Sequence, residues 1–265
     1  MKGRIPPLLS LWLLLMAALA IFVGVSFIKD DINIGGYNLT KARFPETLLA
    51  KEEGMAQRPD TLLADTLKAQ EPIVVEPDTT VHNILIFGDS MTHNLAMSIS
   101  KYGTKNHYKV TGVTWESSSI PGWSNSGKIQ TYIDQTNPDF VIISLGSNEM
   151  ELRHFDRRIP DVKKIIDQVG DIPFIWVGPP LWKEDKGVYE MLQSILPAGT
   201  LFRIGTDVEI QRGPDHVHPT RRGADAWTDT LMRWIRTSPH PILTELPDSG
   251  TSTKGHKFIY LHPND

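Results

Sequence analysis

Five short runs rich in Ile, Val and Phe, each followed by a longer stretch with helical spacing, dominate the chain after Val81. Runs of four to eight apolar residues bounded by turn residues read as buried strands, and apolar positions three and four apart read as helices. The predicted strands are Asn83–Gly88, Tyr108–Trp115, Phe140–Leu145, Phe174–Gly178 and Leu201–Ile204. Helical patterns fall at about Met91–Tyr102, Ser126–Gln135, Asp156–Val169, Gly187–Leu196 and Pro219–Thr237. Strands alternating with helices imply an α/β fold, a parallel sheet covered on both faces. In such folds the ligand sits at the carboxyl ends of the strands.

The segments after those strand ends carry chemistry. The first run stops at Gly88 and delivers Asp89 and Ser90 just before a helix. Gly88 is expected to supply turn angles closed to other residues, and Ser90 to stand where free helical N–H groups favour an anion. Asp89 or Ser90 could equally cap that helix. After the second run comes ESSSIPGW, whose Gly122 offers a bare backbone N–H in a turn. After the third comes GSNE, with Gly146 for the turn and Asn148 offering a side-chain amide. Past the fifth, GPDHVHPT holds Asp215, His216 and His218, and Pro219 suits a first helical position.

These four blocks, in order over about Asn83 to Arg236, resemble the SGNH or GDSL-type hydrolase family of serine esterases and O-acyltransferases. The blocks are G-D-S at Gly88 to Ser90, the glycine at Gly122, G-x-N at Gly146 to Asn148, and D-x-x-H at Asp215 to His218. The resemblance implies a three-layer α/β/α, flavodoxin-like fold with a five-stranded, mainly parallel sheet. It implies Ser90 as nucleophile, His218 as base and Asp215 as the acid that orients it. It also implies an oxyanion hole from the backbone N–H groups of Ser90 and Gly122 and the Asn148 amide. Glu149 stands where the family commonly has Asp, and Pro121 and Trp123 flank Gly122. The G-x-S-x-G nucleophile elbow of the other large serine hydrolase fold is absent around Ser90.

Composition narrows the function classes. A net charge of -4 and no basic cluster interleaved with aromatics argue against nucleic acid as a partner. The absence of Cys removes disulfides, thiol catalysis and thiolate metal sites. Asp215, His216 and His218 could form part of a metal cluster, but no separate segment offers an evident third ligand, so neither metal nor cofactor is expected. Trp115, Trp123 and Trp182 fall near strand exits, where they could stack on a sugar at the rim of the site or pack in the core. Pro179 and Pro180 stiffen the exit from the fourth strand.

The amino terminus sets the expected location. Lys2 and Arg4 precede an uncharged apolar run from Ile5 to Ile28, long enough to cross a bilayer, and Asp30 and Asp31 follow it. Ala18-Leu19-Ala20 offers a cleavage site, yet the run continues past it, so an uncleaved signal anchor is expected. The expected organisation is therefore a transmembrane helix in residues 1–28, a polar stalk in 29–80, a hydrolase domain in 81–238 and a polar extension in 239–265. Within the extension, the apolar FIYL is expected to return as an edge strand. The functional expectation is a bacterial serine esterase, held in the cytoplasmic membrane with its domain outside the cytoplasm. It would remove short acyl groups, acetyl first among them, from carbohydrate. The alternatives are an O-acetyltransferase acting on an envelope polysaccharide and an anchored carbohydrate-binding module with an idle catalytic set.

Overall fold

The computed structural model describes residues 32–34, 37–39 and 76–265. The chain divides into two units, Met1–Lys68 and Ala69–Asp265. In the first, β1 (Ile32–Ile34) and β2 (Tyr37–Leu39) pair antiparallel with Ile34 opposite Tyr37. Part of the segment expected to be an irregular stalk therefore holds a pair of antiparallel strands. The anchor expected in residues 5–28 lies outside the described residues. Among those described, no helix is long and apolar enough to cross a membrane.

The second unit is built on six parallel strands: β3 (Asn83–Gly88), β4 (Lys109–Trp115), β5 (Phe140–Ser144), β6 (Phe174–Val177), β7 (Leu201–Phe202) and β8 (Lys257–Leu261). Their spatial order is β7-β6-β5-β3-β4-β8, and every neighbouring pair is parallel. The expected five-stranded sheet is thus a six-stranded one. The sixth strand comes from the segment set apart as an extension, pairing with β4 from Thr111 opposite Lys257 to Trp115 opposite Leu261.

The edge strand expected from FIYL is therefore present, while the polar return from Arg236 to β8 has no helical pattern that would announce its partner. Side chains hold it instead. Asn106 donates to Glu245 O and accepts from Glu245 N–H, and Thr104 Oγ1 donates to Ser252 O. The His256 Nδ1 accepts from Val110 N–H at the start of β4, which fixes the imidazole tautomer. At the other border, Asp78 N–H donates to Pro241 O and Val81 lies in the core.

Among the described residues six helices cover the sheet: α1 (Thr92–Asn106), α2 (Ile120–Asn125), α3 (Lys128–Thr136), α4 (Ile159–Val169), α5 (Val188–Ile195) and α6 (Arg221–Ile235). Successive strand residues point to opposite faces, and the core divides accordingly. Ile84, Ile86, Val110 and Ile142 pack with Leu95 and Ile99 of α1 and Trp227 and Leu231 of α6. Leu85, Phe87, Val113, Val141 and Ile143 pack on the other face with Trp123 of α2, Ile129 of α3, Val162 of α4 and Leu192 of α5. This is a three-layer α/β/α arrangement. Each fully buried Leu, Ile or Phe contributes about 1.5–3 kcal/mol, so both layers are strongly held.

The strand order reverses between β3 and β5, the place where loops diverge and leave a crevice at the carboxyl edge. Gly88 and Gly146 make the approach there possible. At Gly88 the requirement is space, not unusual angles as expected: a Cβ would lie 1.8 Å from Ser144 O of β5. Gly146 has φ +124°, which side-chain-bearing residues rarely adopt, and it turns the chain into the 3-10 turn Ser147–Glu149.

Candidate active site

Ser90 follows β3 by two residues and stands half-buried just before α1. Its Oγ is 2.8 Å from His218 Nε2, and His218 Nδ1 is 2.7 Å from Asp215 Oδ2. The three residues lie 128 and 3 positions apart in the chain and form one continuous relay. A carboxylate at Nδ1 holds the proton there and leaves Nε2 as the acceptor facing the serine hydroxyl.

Asp215 is suited to that part. Its Oδ1 accepts the N–H groups of Val217 at 2.9 Å and His218 at 3.0 Å, leaving Oδ2 to the imidazole. The Val217 N–H, then the two contacts with His218, hold its carboxyl down at about 2. It is therefore a carboxylate at any ordinary pH. Both partners are substantially exposed, with side chains 43% and 50% accessible for His218 and Asp215. Geometry, more than low dielectric, makes this pair effective.

The loop bearing Asp215 and His218 is braced from three sides. Arg212 Nη2 donates to Pro180 O at 3.0 Å and Leu181 O at 2.9 Å, while its Nη1 donates to Val217 O. Asn94 of α1 donates to Pro219 O at 2.9 Å, tying the serine's helix to the histidine's loop. Gly213 N–H donates to His218 O. Pro219 precedes the α6 cap instead of opening the helix as expected. Thr220 is that cap, its hydroxyl accepting from Gly223 N–H, so Asp215 is free of capping. His216 is exposed, with φ +58° in the turn.

The loops after β3 and β5 are locked by a buried aspartate. Asp89 Oδ2 accepts from Ser147 Oγ at 2.6 Å and Ser147 N–H at 3.2 Å, and Oδ1 accepts from Met91 N–H. Burial pushes its carboxyl pKa up, and these hydrogen bonds oppose the rise. Asn148, next in the chain, is exposed, and its amide donates one hydrogen to Ser118 O at 2.8 Å. An amide nitrogen carries a second hydrogen. Among the described residues the Ser90 N–H has no hydrogen-bond acceptor. The Ser90 N–H and one Asn148 amide hydrogen are thus without a protein acceptor among the described residues.

Gly122 does not supply a third. ESSSIPGW is not an open turn: residues from Ile120 form α2, and Gly122 N–H donates to the Ser119 Oγ cap at 3.3 Å. The amide expected in the oxyanion hole is spent on its own helix. Glu149 holds α2 in place, Oε1 accepting from Ile120 N–H at 2.8 Å. Desolvation, with the Asp89 charge as a lesser cause, pushes the Glu149 carboxyl up to about 7.

The tryptophans divide. Trp123 is fully buried, its indole N–H donating to Ser118 Oγ, so it is a core residue and not part of a rim. Trp115 is half-buried, packed edge-on against Trp123 with its N–H on His262 O. Trp182 is half-buried against both core clusters. A hollow of about 600 Å3 lined by Asp185, Glu190, Gln193 and Arg203 shares no residue with the relay. Among the described residues no group of three or more His, Cys, Asp or Glu side chains is placed to hold a metal ion.

Arg212, Asn94, Ser147 and Ser118 were not singled out in the sequence. Ser147 lies inside GSNE and Ser118 inside ESSSIPGW, while Asn94 and Arg212 lie outside the quoted blocks and reach carbonyls of Pro219 and of Pro180 and Leu181, far away in the chain.

No family model matches this chain, and no curated protein does. It is similar to the solved structure of LAE5, an alpha/beta hydrolase enzyme from the metagenome of Lake Arreo, Spain, with 13% identity and a TM-score of 0.44, over 58% of this chain and 94% of that one. AlinE4, an SGNH-hydrolase family esterase, is similar at 17% identity and a TM-score of 0.37, over 58% and 94%. A gut microbial diltiazem-metabolizing enzyme is similar at 11% identity and a TM-score of 0.32, over 46% and 34%.

Proposed function

We propose that this protein is a serine esterase that removes short acyl groups, acetyl in the first instance, from carbohydrate through an acyl-Ser90 intermediate. The observation that carries the reading is the relay from Asp215 through His218 to Ser90 at 2.7 and 2.8 Å. A serine hydroxyl is a poor nucleophile at neutral pH and needs a base at this distance. His218 Nε2 takes the Oγ proton as Oγ bonds to the ester carbonyl carbon, and Asp215 stabilises the imidazolium that forms. The Ser90 N–H and the free hydrogen of the Asn148 amide stabilise the oxyanion, each donor contributing about 10²–10³ in rate. The imidazolium then returns its proton to the leaving alkoxide, which departs as an alcohol. Water, deprotonated by His218, attacks the acyl-serine and releases the acid and free Ser90.

The apolar run from Ile5 to Ile28, with positive charge before it and aspartates after, supports tethering in the cytoplasmic membrane with the domain outside. That placement favours envelope or extracellular glycan esters. The test is hydrolysis of 4-nitrophenyl acetate by the full-length chain and its Ser90→Ala variant. The wild type is expected to turn over, and the variant to lose at least 10³-fold in kcat. Equal rates would sink the mechanism. Turnover that appears only with an added oligosaccharide, giving acetylated sugar, would show transfer in place of hydrolysis.

A further inference from the structure

Of the tryptophans expected to stack on sugar, Trp123 is fully buried and Trp115 and Trp182 are half-buried, and the same edge of the sheet presents a more exposed aromatic. Tyr260 of β8 is 47% exposed, and with Leu246 it is one of two large hydrophobics so exposed among the described residues. It sits opposite Thr114, one residue before the end of β4, at the carboxyl edge where Ser90 and Asn148 also emerge. His93 meets its ring at 5.9 Å in an edge-on arrangement, and His262 does so at 5.6 Å. Glu116 lies beside them: its Oε2 is 3.8 Å from His262 Nδ1, and its N–H donates to Leu261 O.

This cluster is tied to the catalytic groups on both sides. His93 follows Ser90 by three residues, so their Cα atoms are at most about 11 Å apart. Glu116 precedes by two residues Ser118, whose carbonyl holds the Asn148 amide. A pyranose ring has an apolar face of C–H groups and a rim of hydroxyls. An exposed phenol ring matches the face, and a carboxylate with two imidazoles matches the rim, since together they offer both donors and acceptors.

We propose that Tyr260, with His93, His262 and Glu116, forms a sugar subsite that holds a pyranose ring of the substrate beside the Ser90 centre. The inference rests on the esterase reading and names the residues that hold the sugar of its substrate. It gives the last strand a purpose beyond closing the sheet edge: β8 brings Tyr260 and His262 to the catalytic edge.

The experiment compares acetate release from an O-acetylated xylo-oligosaccharide with release from 4-nitrophenyl acetate, using the full-length wild type, Tyr260→Ala, Tyr260→Phe and, as a remote control, Leu246→Ser. The ratio of kcat/KM for oligosaccharide over 4-nitrophenyl acetate is expected to fall about five- to tenfold in Tyr260→Ala, through KM, which is the scale of one lost aromatic contact. Tyr260→Phe, which keeps the ring, should restore most of that ratio, and Leu246→Ser should not change it. An unchanged ratio in Tyr260→Ala, or a Phe variant as impaired as Ala, would overturn the subsite while leaving the esterase standing. Absence of Ser90-dependent release from both esters in the wild type would overturn the esterase reading and the subsite with it.

Discussion

Glu149→Gln should make the domain's stability less sensitive to pH, and the size of the effect follows from the burial of this side chain. Glu149 is 1% exposed, one carboxyl oxygen accepts from Ile120 N–H, and the other has no partner among the described residues. Its carboxyl is pushed from the ordinary 4.5 up to about 7, so between those values the folded protein keeps a proton that the unfolded chain has lost. Stability falls with pH wherever the native state binds more protons. The loss therefore begins near pH 4.5, continues to about pH 7 and then levels off. At about 1.4 kcal/mol per pH unit, the full window amounts to about 3 kcal/mol. Gln cannot ionise but can still accept from Ile120 N–H. It also puts an unpaired amide where the free oxygen was, a fixed offset of about 1–3 kcal/mol. The difference between the variant and wild type, followed across pH, isolates the titration from that offset. In a domain of this size each kcal/mol moves the melting temperature by about 2–4 °C, so the variant should gain roughly 6–12 °C on the wild type between pH 4.5 and pH 8. Thermal unfolding followed by circular dichroism at closely spaced pH values reads this directly. A melting-temperature difference that stays constant with pH, or that moves against the variant as pH rises, would refute the reasoning.

Arg212→Ala should leave KM within about twofold and lower kcat about 10- to 100-fold, because a misplaced base costs in the transition state. Arg212→Lys should recover only part of it, since one ammonium cannot reproduce a fork that spans three carbonyls. Steady-state kinetics checks both, and a fully active Lys variant would contradict the clamp. Gly88→Ala should fail to fold or lose more than about 3 kcal/mol, because the new methyl would meet a backbone oxygen. Gly122→Ala should gain about 0.5–1 kcal/mol, since its Cβ would meet nothing closer than 3.6 Å inside a helix. Denaturant titrations compare the two. Asp215→Asn should keep the geometry but reverse the preferred imidazole tautomer, lowering kcat by about 10⁴ with little change in KM. A drop below tenfold would show that Asp215 does not set the tautomer.

The sheet was readable because its strands are apolar on both faces, so ILIF, FVIIS and FIWV stand out from polar surroundings without needing alternation. The grouping of the polar segments was readable for a related reason: parallel α/β folds deliver the segments after their strands to one edge, so Ser90, Asn148 and His218 could be placed there from chain position, while their expected roles came from the family resemblance. What escaped depends on contacts distant in sequence. β8 was expected as an edge strand from FIYL and is one, but its neighbour β4 was not foreseen, because its return path carries no helical period and is held by Asn106, Thr104 and His256. Gly122 was misread because a serine three residues earlier captures its N–H, and Ser119 resembles any loop serine. Gly88 was recognised as glycine-requiring for the wrong reason, since the approach of Ser144 is invisible in either segment alone. Trp123 and Trp115, eight residues apart, differ only in burial, which periodicity across a six-residue helix does not reveal.

The most direct measurement of the central claim is active-site labelling of the full-length protein with a fluorophosphonate ester, followed by peptide mapping. The account predicts a single adduct on Ser90, lost in Ser90→Ala and slowed by orders of magnitude in His218→Ala, because the hydroxyl reacts only when His218 takes its proton. Labelling at another residue, or labelling of Ser90 at an unchanged rate without His218, would contradict it.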